Sequence, residues 1–225
     1  MTAAAIVLLS GGIDSAVALA SLRAEGVACE ALLVDYGQRH GIELARASAL
    51  ADYYETPVTR VSVNLPAMRP HDALIGQVAV PKHRSLRTIA TAPRPATFVP
   101  GRNLVLLSLA FSLAAMRAAG RVVMGVTLSD AAGYADCRPR FVTEFAIAAR
   151  CGTETFVQLD TPWLYRTKGA VIAEGARLGV DFAATLSCYQ PGASGTHCGC
   201  CDACVIRRHG FVDAGIVDPT IYEAP

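Results

Sequence analysis

A glycine-rich segment near the start of the chain has the residue types that bind an anion. Ser10-Gly11-Gly12-Ile13-Asp14-Ser15 follows an apolar run and precedes a stretch rich in alanine and leucine, which predicts a strand, a tight turn and a helix. Such a turn presents unpaired backbone amides and the positive end of a helix dipole, and glycines let the backbone approach a ligand closely. The segment lacks the Gly-x-x-x-x-Gly-Lys of a Walker A loop and the Gly-x-Gly-x-x-Gly of dinucleotide-binding proteins. A turn capped by Asp14 and Ser15, without any ligand, is the alternative interpretation.

The order of residues in this segment resembles the pyrophosphate loop of the ATP pyrophosphatase superfamily, whose members split ATP between its α- and β-phosphates. The resemblance implies ATP, and it implies Mg²⁺ because a triphosphate carries more charge than a serine and a helix dipole can offset. Asp14 is the nearest acid able to hold the ion, and Ser10 and Ser15 would donate hydrogen bonds to phosphate oxygens. The predicted nucleotide-binding residues are Leu8, Leu9, Ser10, Gly11, Gly12, Ile13, Asp14, Ser15, Ala16, Val17 and Ala18.

Five cysteines lie within seventeen residues near the end of the chain. Four of them are separated by nine, two and two residues, a spacing that suits a closed tetrahedral Zn²⁺ site that folds the tail and does not activate water. These predicted ligands are Cys188, Cys198, Cys201 and Cys204. Cys200 could replace its neighbour Cys201 as a ligand, but Cys201 keeps a two-residue gap on both sides. The isolated cysteines, Cys29, Cys137 and Cys151, are interpreted as small buried hydrophobic residues.

The overall composition excludes several classes of function. Apolar residues make up 52% of the chain and charged residues 17%, which predicts a compact, well-buried protein. The net charge of +1 argues against a protein that binds polyanions non-specifically through counterion release. The run between Arg102 and Arg117 has fourteen residues, fewer than the roughly 20 needed to span a bilayer, so no membrane association is expected. Eight cysteines without a visible signal peptide predict a cytoplasmic protein.

The elements that must position these residues alternate between strand-like and helix-like segments. Strands are predicted at 4–9, 30–34, 58–63, 121–126 and 155–159, and helices at 14–23, 42–54, 103–119, 140–150 and 167–178. The helix at 103–119 is apolar nearly all round and is expected to be buried. Residues 65–100 are predicted to form a long loop.

This alternation predicts an α/β fold, a mostly parallel sheet with helices on both faces. The loops at Ser10, Asp35, Gly125 and Thr161 each follow a strand, so they are expected to gather at the carboxyl edge, where ligands bind. We expect residues 1–186 to form the ATP-binding domain and residues 187–225 to form a zinc-binding lobe packed on it.

Polar residues crowd the loop after the second predicted strand. Asp35, Tyr36, Gln38 and His40 lie within six residues, which suits recognition of a base or a carboxylate. An Asx-type turn with His40 as a cap explains them equally well. Both interpretations therefore stay open.

Three further positions combine charge with a place at the start of a helix or in a loop. Arg102 and Asn103 open the apolar helix, where an arginine requires an anionic ligand or an acidic neighbour. Asp136 and Arg138 either line a pocket or form a local ion pair. Lys168, at a helix start, either reaches phosphate or is solvated.

The glycine loop and the cysteines occur together with four more motifs. These are Asp35-Tyr36-Gly37-Gln38-Arg39-His40, Val99-Pro100-Gly101-Arg102-Asn103, Gly133-Tyr134-Ala135-Asp136-Cys137-Arg138-Pro139 and Thr185-Leu186-Ser187-Cys188-Tyr189. Taken together, the motifs resemble the 7-cyano-7-deazaguanine synthase family of the queuosine pathway. The resemblance extends from about Val7 to Phe211, nearly the whole chain.

This resemblance implies a Rossmann-like sheet of the adenine nucleotide α-hydrolase type with a small C-terminal zinc-binding lobe. It implies an ATP-dependent ligase that converts 7-carboxy-7-deazaguanine and ammonia into 7-cyano-7-deazaguanine through an adenylated carboxylate and an amide. A homodimer is also implied, and direct contact with nucleic acid is not expected. The predicted catalytic residues are Ser10, Asp14, Arg102 and Lys168.

Three other functions compete with this one. A member of the same family could adenylate a different carboxylate or a protein target. A tRNA thiolase of the same superfamily would need catalytic cysteines near the nucleotide and a basic face for tRNA, which the near-neutral charge disfavours. The tail could instead be a zinc knuckle that binds nucleic acid, although the one-residue gap between Cys198 and Cys200 and the lack of flanking aromatic residues disfavour it.

Overall fold

A parallel sheet of five strands forms the centre of the computed structural model, which describes residues 4–39, 41–65, 73–76, 78–92, 95–192 and 194–223. The strands are β1 Ala5–Leu8, β2 Cys29–Asp35, β3 Val58–Ser62, β4 Arg121–Val123 and β5 Gln158–Asp160. Their order across the sheet is β3-β2-β1-β4-β5, and every pairing is parallel. The chain therefore winds outward from β1 in both directions, which makes the edge beside β1 and β4 the expected place for a ligand.

The helices of the described residues connect the strands and cover the sheet. They are α1 Ile13–Ala24, α2 Ile42–Tyr53, α3 Leu86–Ala90, α4 Arg102–Arg117, α5 Leu128–Gly133, α6 Pro139–Thr153, α7 Lys168–Arg177 and α8 Asp202–Ala214. The predicted order of strands and helices is confirmed. Three helices, α3, α5 and α8, are absent from the predicted set. The short helices α3 and α5 are each held by a local cap and have no apolar periodicity of their own.

Alternate residues of β1 explain why the sheet is covered on both faces. Ala5 and Val7 belong to a core that includes α1, α2, α7 and α8, whereas Ile6 belongs to a core that includes α4 and α6. Successive side chains of a strand point to opposite faces, so an uninterrupted apolar strand needs a layer of helices on each side. The predicted helix layers on both faces are thus confirmed.

Two expectations about burial are wrong. The apolar helix α4 buries Leu107 and Ala110, but Leu104 is 48% exposed and Met116 is 72% exposed. The reason is that α4 packs on the sheet and on α6 through one face, whereas Leu104, Ser108, Ser112 and Met116 form an exposed opposite face. Cys151, near the end of α6, is exposed and not buried, whereas Cys29 and Cys137 are buried as expected. No helix of the described ranges combines the length and hydropathy that crossing a membrane requires.

The close packing of α7 against α8 fixes the position of Lys168. A Cβ atom on Gly210 of α8 would lie 2.5 Å from Lys168 Cγ, and a Cβ atom on Gly169 of α7 would lie 2.7 Å from the Cβ of Asp213. Phe211 of α8 packs edge-on against Phe182, with 5.2 Å between ring centroids. The glycines let the two helices approach each other closely, so the C-terminal helix determines where the start of α7 lies.

Candidate active site

A cavity of about 680 Å³ opens at the carboxyl edge of the sheet. The glycine loop forms one wall, and the other walls include residues of the loop after β2 and of α2, α3, α4, α5, α7 and α8. Gly125, after β4, also lines this cavity, whereas Thr161 lines a smaller hollow elsewhere. The loops after β1, β2 and β4 therefore meet as parallel strands require.

The glycine loop is clamped between two other elements. Gly11 has a φ of +81°, and a Cβ atom on it would lie 2.8 Å from the carbonyl oxygen of Glu43 in α2. On the other side, a Cβ atom on Gly125 would lie 2.7 Å from the carbonyl carbon of Asp14. No side chain caps the first turn of α1, whose N-cap is Gly12. The Ser15 hydroxyl nevertheless accepts from the Ser10 amide at 3.2 Å and donates to the Gly12 carbonyl oxygen at 3.1 Å. Ser15 thus holds the turn, as the capping interpretation expects, whereas the Asp14 side chain bonds elsewhere.

Asp14 and Lys168 form a close ion pair in the cavity wall. Lys168 Nζ donates to both carboxylate oxygens of Asp14, at 2.7 and 2.5 Å. Burial raises the pKa of Asp14 above its ordinary value, and the Lys168 ammonium opposes that shift. The indole of Trp163 donates to the carbonyl oxygen of Asp14 at 3.1 Å. Lys168 is thus held at the glycine loop, and its interpretation as a solvated residue is wrong.

Arg102 supplies a second positive charge farther along the cavity. Its guanidinium lies 5.9 Å from the centroid of the Tyr36 ring, and it forms no ion pair with an acidic side chain of the described residues. The hydroxyls of Tyr134 and Tyr189 lie 3.4 Å apart and also line the cavity. This part of the cavity combines an unpaired cation with aromatic rings, which suits a flat, anionic ligand.

The four predicted cysteine ligands converge below the cavity. The Sγ atoms of Cys188, Cys198, Cys201 and Cys204 all lie within 4.8 Å of one another, so the group could hold a metal ion. Hydrogen bonding between Cys201 and the thiols of Cys188 and Cys204 holds the pKa of Cys201 well below its usual range. The backbone amides of Gln190 and Cys198 donate to Cys188 Sγ, each at 3.3 Å. The site thus has four soft donors and no open position.

Cys200 lies beside this group without belonging to it. Its Sγ lies 3.7 Å from Cys198 Sγ, and it is not among the four donors that converge. The structure therefore brings together the set that contains Cys201, as the two-residue gaps predict.

Comparison with known proteins identifies the family. The sequence model of the queuosine biosynthesis protein QueC matches residues 4–215. The chain belongs to the QueC family. A 7-cyano-7-deazaguanine synthase of Anaeromyxobacter sp. (strain Fw109-5) is 45% identical over 98% of this chain and 97% of its own length. The synthase of the same name from Thiobacillus denitrificans is 43% identical over 99% of both chains.

Solved structures show the same fold at low sequence identity. NMN synthetase from Francisella tularensis matches 96% of this chain and 79% of its own, with a TM-score of 0.51 and 14% identity. A predicted subunit of tRNA methyltransferase from Methanocaldococcus jannaschii matches 97% of this chain and 91% of its own, with a TM-score of 0.50 and 16% identity. These likenesses support the α/β fold alone. Membership of the QueC family confirms the predicted activity, an ATP-dependent ligase of queuosine biosynthesis.

Not all residues predicted to bind substrate reach the cavity of this QueC-family protein. Asn103 lines it, but its backbone amide donates to Asp136 Oδ2 at 2.9 Å, so the pair pins the start of α4 to the turn after α5. Asp136 is buried in that contact, and Arg138 is exposed; neither lines the cavity.

Only some residues of the loop after β2 line the cavity. Tyr36 and Gln38 line the cavity, and Gln38 Oε1 accepts a hydrogen bond from the Tyr36 amide at 2.9 Å. Asp35 is exposed, and its Oδ1 accepts from the Gly37 amide at 3.0 Å, so the Asx-type turn describes Asp35. His40 lies outside the described residues.

Other cavity residues were missed by sequence reasoning. Glu43 and Asp130 both lie in the first turn of a helix, where an acid commonly compensates the helix dipole and gives no functional signal. Burial raises the pKa of Glu43 to about 7, against the influence of Arg102. Cys137 also lines the cavity, but burial raises the pKa of its thiol well above the usual range, which disfavours the thiolate that a thiolase would need.

Proposed function

We propose that this ligase converts 7-carboxy-7-deazaguanine and ammonia into 7-cyano-7-deazaguanine. The observation that carries the proposal is the near full-length match to synthases of that product, at 41 to 45% identity. The cavity agrees with it, because the glycine loop, Arg102 and the rings of Tyr36, Tyr134 and Tyr189 line one space. A nucleotide and a flat carboxylate would then meet there.

The proposed chemistry begins at the carboxylate, which is unreactive toward ammonia until one of its oxygens becomes a leaving group. The carboxylate attacks the α-phosphorus of ATP, and pyrophosphate leaves toward the glycine loop. Ammonia then displaces AMP and gives the amide. A second adenylation, on the amide oxygen, allows that oxygen to leave and the nitrile to form.

The described residues serve this chemistry by positioning groups and stabilising charge. We assign Ser10 and the amides of the glycine loop to the leaving pyrophosphate, and Arg102 to the substrate carboxylate. Lys168 is assigned to the phosphates. The rings of Tyr36 and Tyr134 are assigned to the deazapurine. No covalent nucleophile is required.

Mg²⁺ is proposed as the ion that screens the triphosphate when ATP binds. The carboxylate of Asp14 is a suitable oxygen donor at the glycine loop. Both of its oxygens accept hydrogen bonds from Lys168 in the structure. For Asp14 to coordinate Mg²⁺, the Lys168 side chain would therefore have to leave the Asp14 carboxylate and bind the phosphates with its ammonium group.

Zn²⁺ is proposed for the cysteine group, because four thiols and a closed arrangement match its preferred ligands. The ion would stabilise the lobe formed by residues 187–225 on the ATP-binding domain of residues 1–186. The family resemblance further supports a homodimer, and the unpaired cysteines support a cytoplasmic location.

The stoichiometry of the reaction tests the proposed function. Each nitrile formed should release two AMP and two pyrophosphate, since two oxygens must be expelled. The amide, supplied directly, should give nitrile with a single ATP and without ammonium. Release of ADP and phosphate would contradict α-phosphate chemistry, and accumulation of amide without nitrile would reveal an ordinary amide ligase. A panel of other carboxylates, scored by AMP release, tests the alternative substrate.

A further inference from the structure

The proposed reaction, on which this inference rests, requires the removal of protons from the substrate nitrogen. None of the residues assigned so far accepts these protons. The nitrogen of ammonia ends as a nitrile and must lose all three of its hydrogens. One proton leaves when ammonia displaces AMP from the acyl adenylate. The other two leave as the amide becomes the nitrile. A proton acceptor is therefore needed beside the same nitrogen in both halves of the reaction.

Carboxylates of the described residues that line the cavity are the natural acceptors, and most of them already have a partner. Asp14 pairs with Lys168, Asp130 accepts from the Thr127 amide and hydroxyl, Asp202 pairs with Arg84, and Asp213 lies 3.3 Å from His209. Glu43 lines the same cavity, and its carboxylate makes no hydrogen bond or ion pair with a described residue. Its carboxylate is thus available to a ligand.

The place of Glu43 in the fold joins the two ends of the cavity. Its carbonyl oxygen lies 2.8 Å from the position of a Cβ atom on Gly11, so its backbone packs directly on the glycine loop. Its side chain lines the cavity, and the Arg102 charge acts to lower the pKa of its carboxyl. In the proposed reaction the reacting carbon must reach both the α-phosphate at the loop and Arg102, and Glu43 lines the cavity that these two groups share.

We propose that Glu43 is the base that removes protons from the substrate nitrogen. In the first half, the nitrogen lone pair forms the C–N bond, the C–O bond to AMP breaks, and one proton passes to Glu43. In the second half, the amide oxygen bonds to the α-phosphorus as pyrophosphate leaves, and the nitrogen gives up a proton. The last proton leaves as the C–O bond to AMP breaks and the C≡N bond forms. Glu43 passes each proton to water at the cavity opening before it accepts the next.

The surroundings of Glu43 suit this task. Burial raises the pKa of Glu43 to about 7, and the Arg102 guanidinium partly opposes the shift, so the group can accept and release protons near neutrality. The acids Asp14, Asp130, Asp202 and Asp213 that line the cavity have the partners described above, and its other titratable groups include Lys168, Cys137, Tyr36, Tyr134 and Tyr189. The Asp14 charge is compensated by Lys168, and tyrosines are neutral at this pH.

Two partial reactions separate the role of Glu43 from the proposed function. Pyrophosphate–ATP exchange on the carboxylate reports adenylation, which needs no nitrogen. Conversion of the amide to the nitrile needs proton removal but no ammonium, so its pH profile is free of ammonium titration. Glu43→Gln and Glu43→Asp would be compared with Glu144→Gln, whose side chain is exposed on α6.

We expect Glu43→Gln to reduce nitrile formation at least about 100-fold while exchange changes by less than about threefold. In the wild type the rate should rise with pH through about 7, because the base must be ionised, and Glu43→Gln should lose this rise. Glu43→Asp should retain it, and Glu144→Gln should match the wild type. An unchanged pH profile in Glu43→Gln, or an equal loss of exchange and nitrile formation, would overturn the proposal. A wild type that forms no nitrile from this substrate would overturn the proposed function and the role of Glu43 together.

Discussion

The glycine loop and the cysteine group are both short sequence motifs, but they differ in how deeply the fold buries them. Three of the four cysteines, Cys188, Cys201 and Cys204, are completely buried within an apolar cluster of their own. Ser10, by contrast, is exposed at the cavity, and Asp14 keeps 20% of its side chain exposed. A motif that closes around a permanent ion can be sealed, whereas one that binds a substrate must stay open.

The two motifs also differ in what compensates their charge. The Cys201 thiolate is stabilised by thiols no more than 13 residues away. The Asp14 carboxylate is stabilised by Lys168, 154 residues farther along the chain. The charge of the cysteine group is therefore stabilised by the group's own residues, whereas the charge of the glycine loop is stabilised by a residue of a distant helix.

The largest effect is expected when one of the four converging cysteines is replaced. Cys188→Ser should lose the bound metal and lower the free energy of unfolding by roughly 3 to 5 kcal/mol, since a closed thiolate site contributes folding energy. Metal analysis and urea unfolding measure both. Cys200→Ser is the matched control and should keep one equivalent of metal with a change below about 0.5 kcal/mol. Metal retained in Cys188→Ser but lost in Cys200→Ser would contradict the ligand set.

A smaller effect, on activity more than stability, is expected where the open site is clamped. The Cβ atom of Gly125→Ala would lie 2.7 to 2.9 Å from backbone atoms of Asp14 and Ser15, and neither can yield without moving the glycine loop. Pyrophosphate–ATP exchange should fall about 100-fold, equivalent to ~2.7 kcal/mol. Gly152→Ala in α6 is the control, because its Cβ atom meets nothing within 4 Å. Equal activity of the two variants would show that Gly125, after β4, does not clamp the loop.

The smallest effect is expected from removing the Lys168 charge that stabilises the Asp14 carboxylate. Lys168→Met leaves the Asp14 carboxylate without its partner, so the free energy of unfolding at pH 7 should fall by ~1 to 2 kcal/mol. The folded-state pKa of Asp14 is raised, so the ionised group costs stability as pH rises above its unfolded value, and the loss should shrink near pH 4. Urea unfolding at both pH values measures this. Asp14→Asn in the Lys168→Met background should restore most of the loss; a loss independent of pH and of Asp14 would contradict the pairing.

The sequence determined the features that depend on neighbouring residues. The order of strands and helices follows from apolar runs and periodicity, and the parallel sheet with two helical layers follows from that order. The converging set of Cys188, Cys198, Cys201 and Cys204 followed from spacing alone, because a chain that binds one ion with near-neighbour thiols has few geometries available. The glycine loop was likewise recognised from a short segment, the order of residues 10–15 between a predicted strand and a predicted helix.

Only the tertiary structure decided which side chains share the cavity. Asp136 and Arg138 follow Tyr134 closely in sequence, yet Tyr134 lines the cavity while Asp136 is tied to Asn103 and Arg138 is exposed. Glu43 carried no signal as a helix-start acid. Its proposed role arises because α2 packs on Gly11 and thereby places Glu43 in the cavity wall. Burial and charge at a site are sums over residues far apart in the chain, and no local pattern encodes such sums.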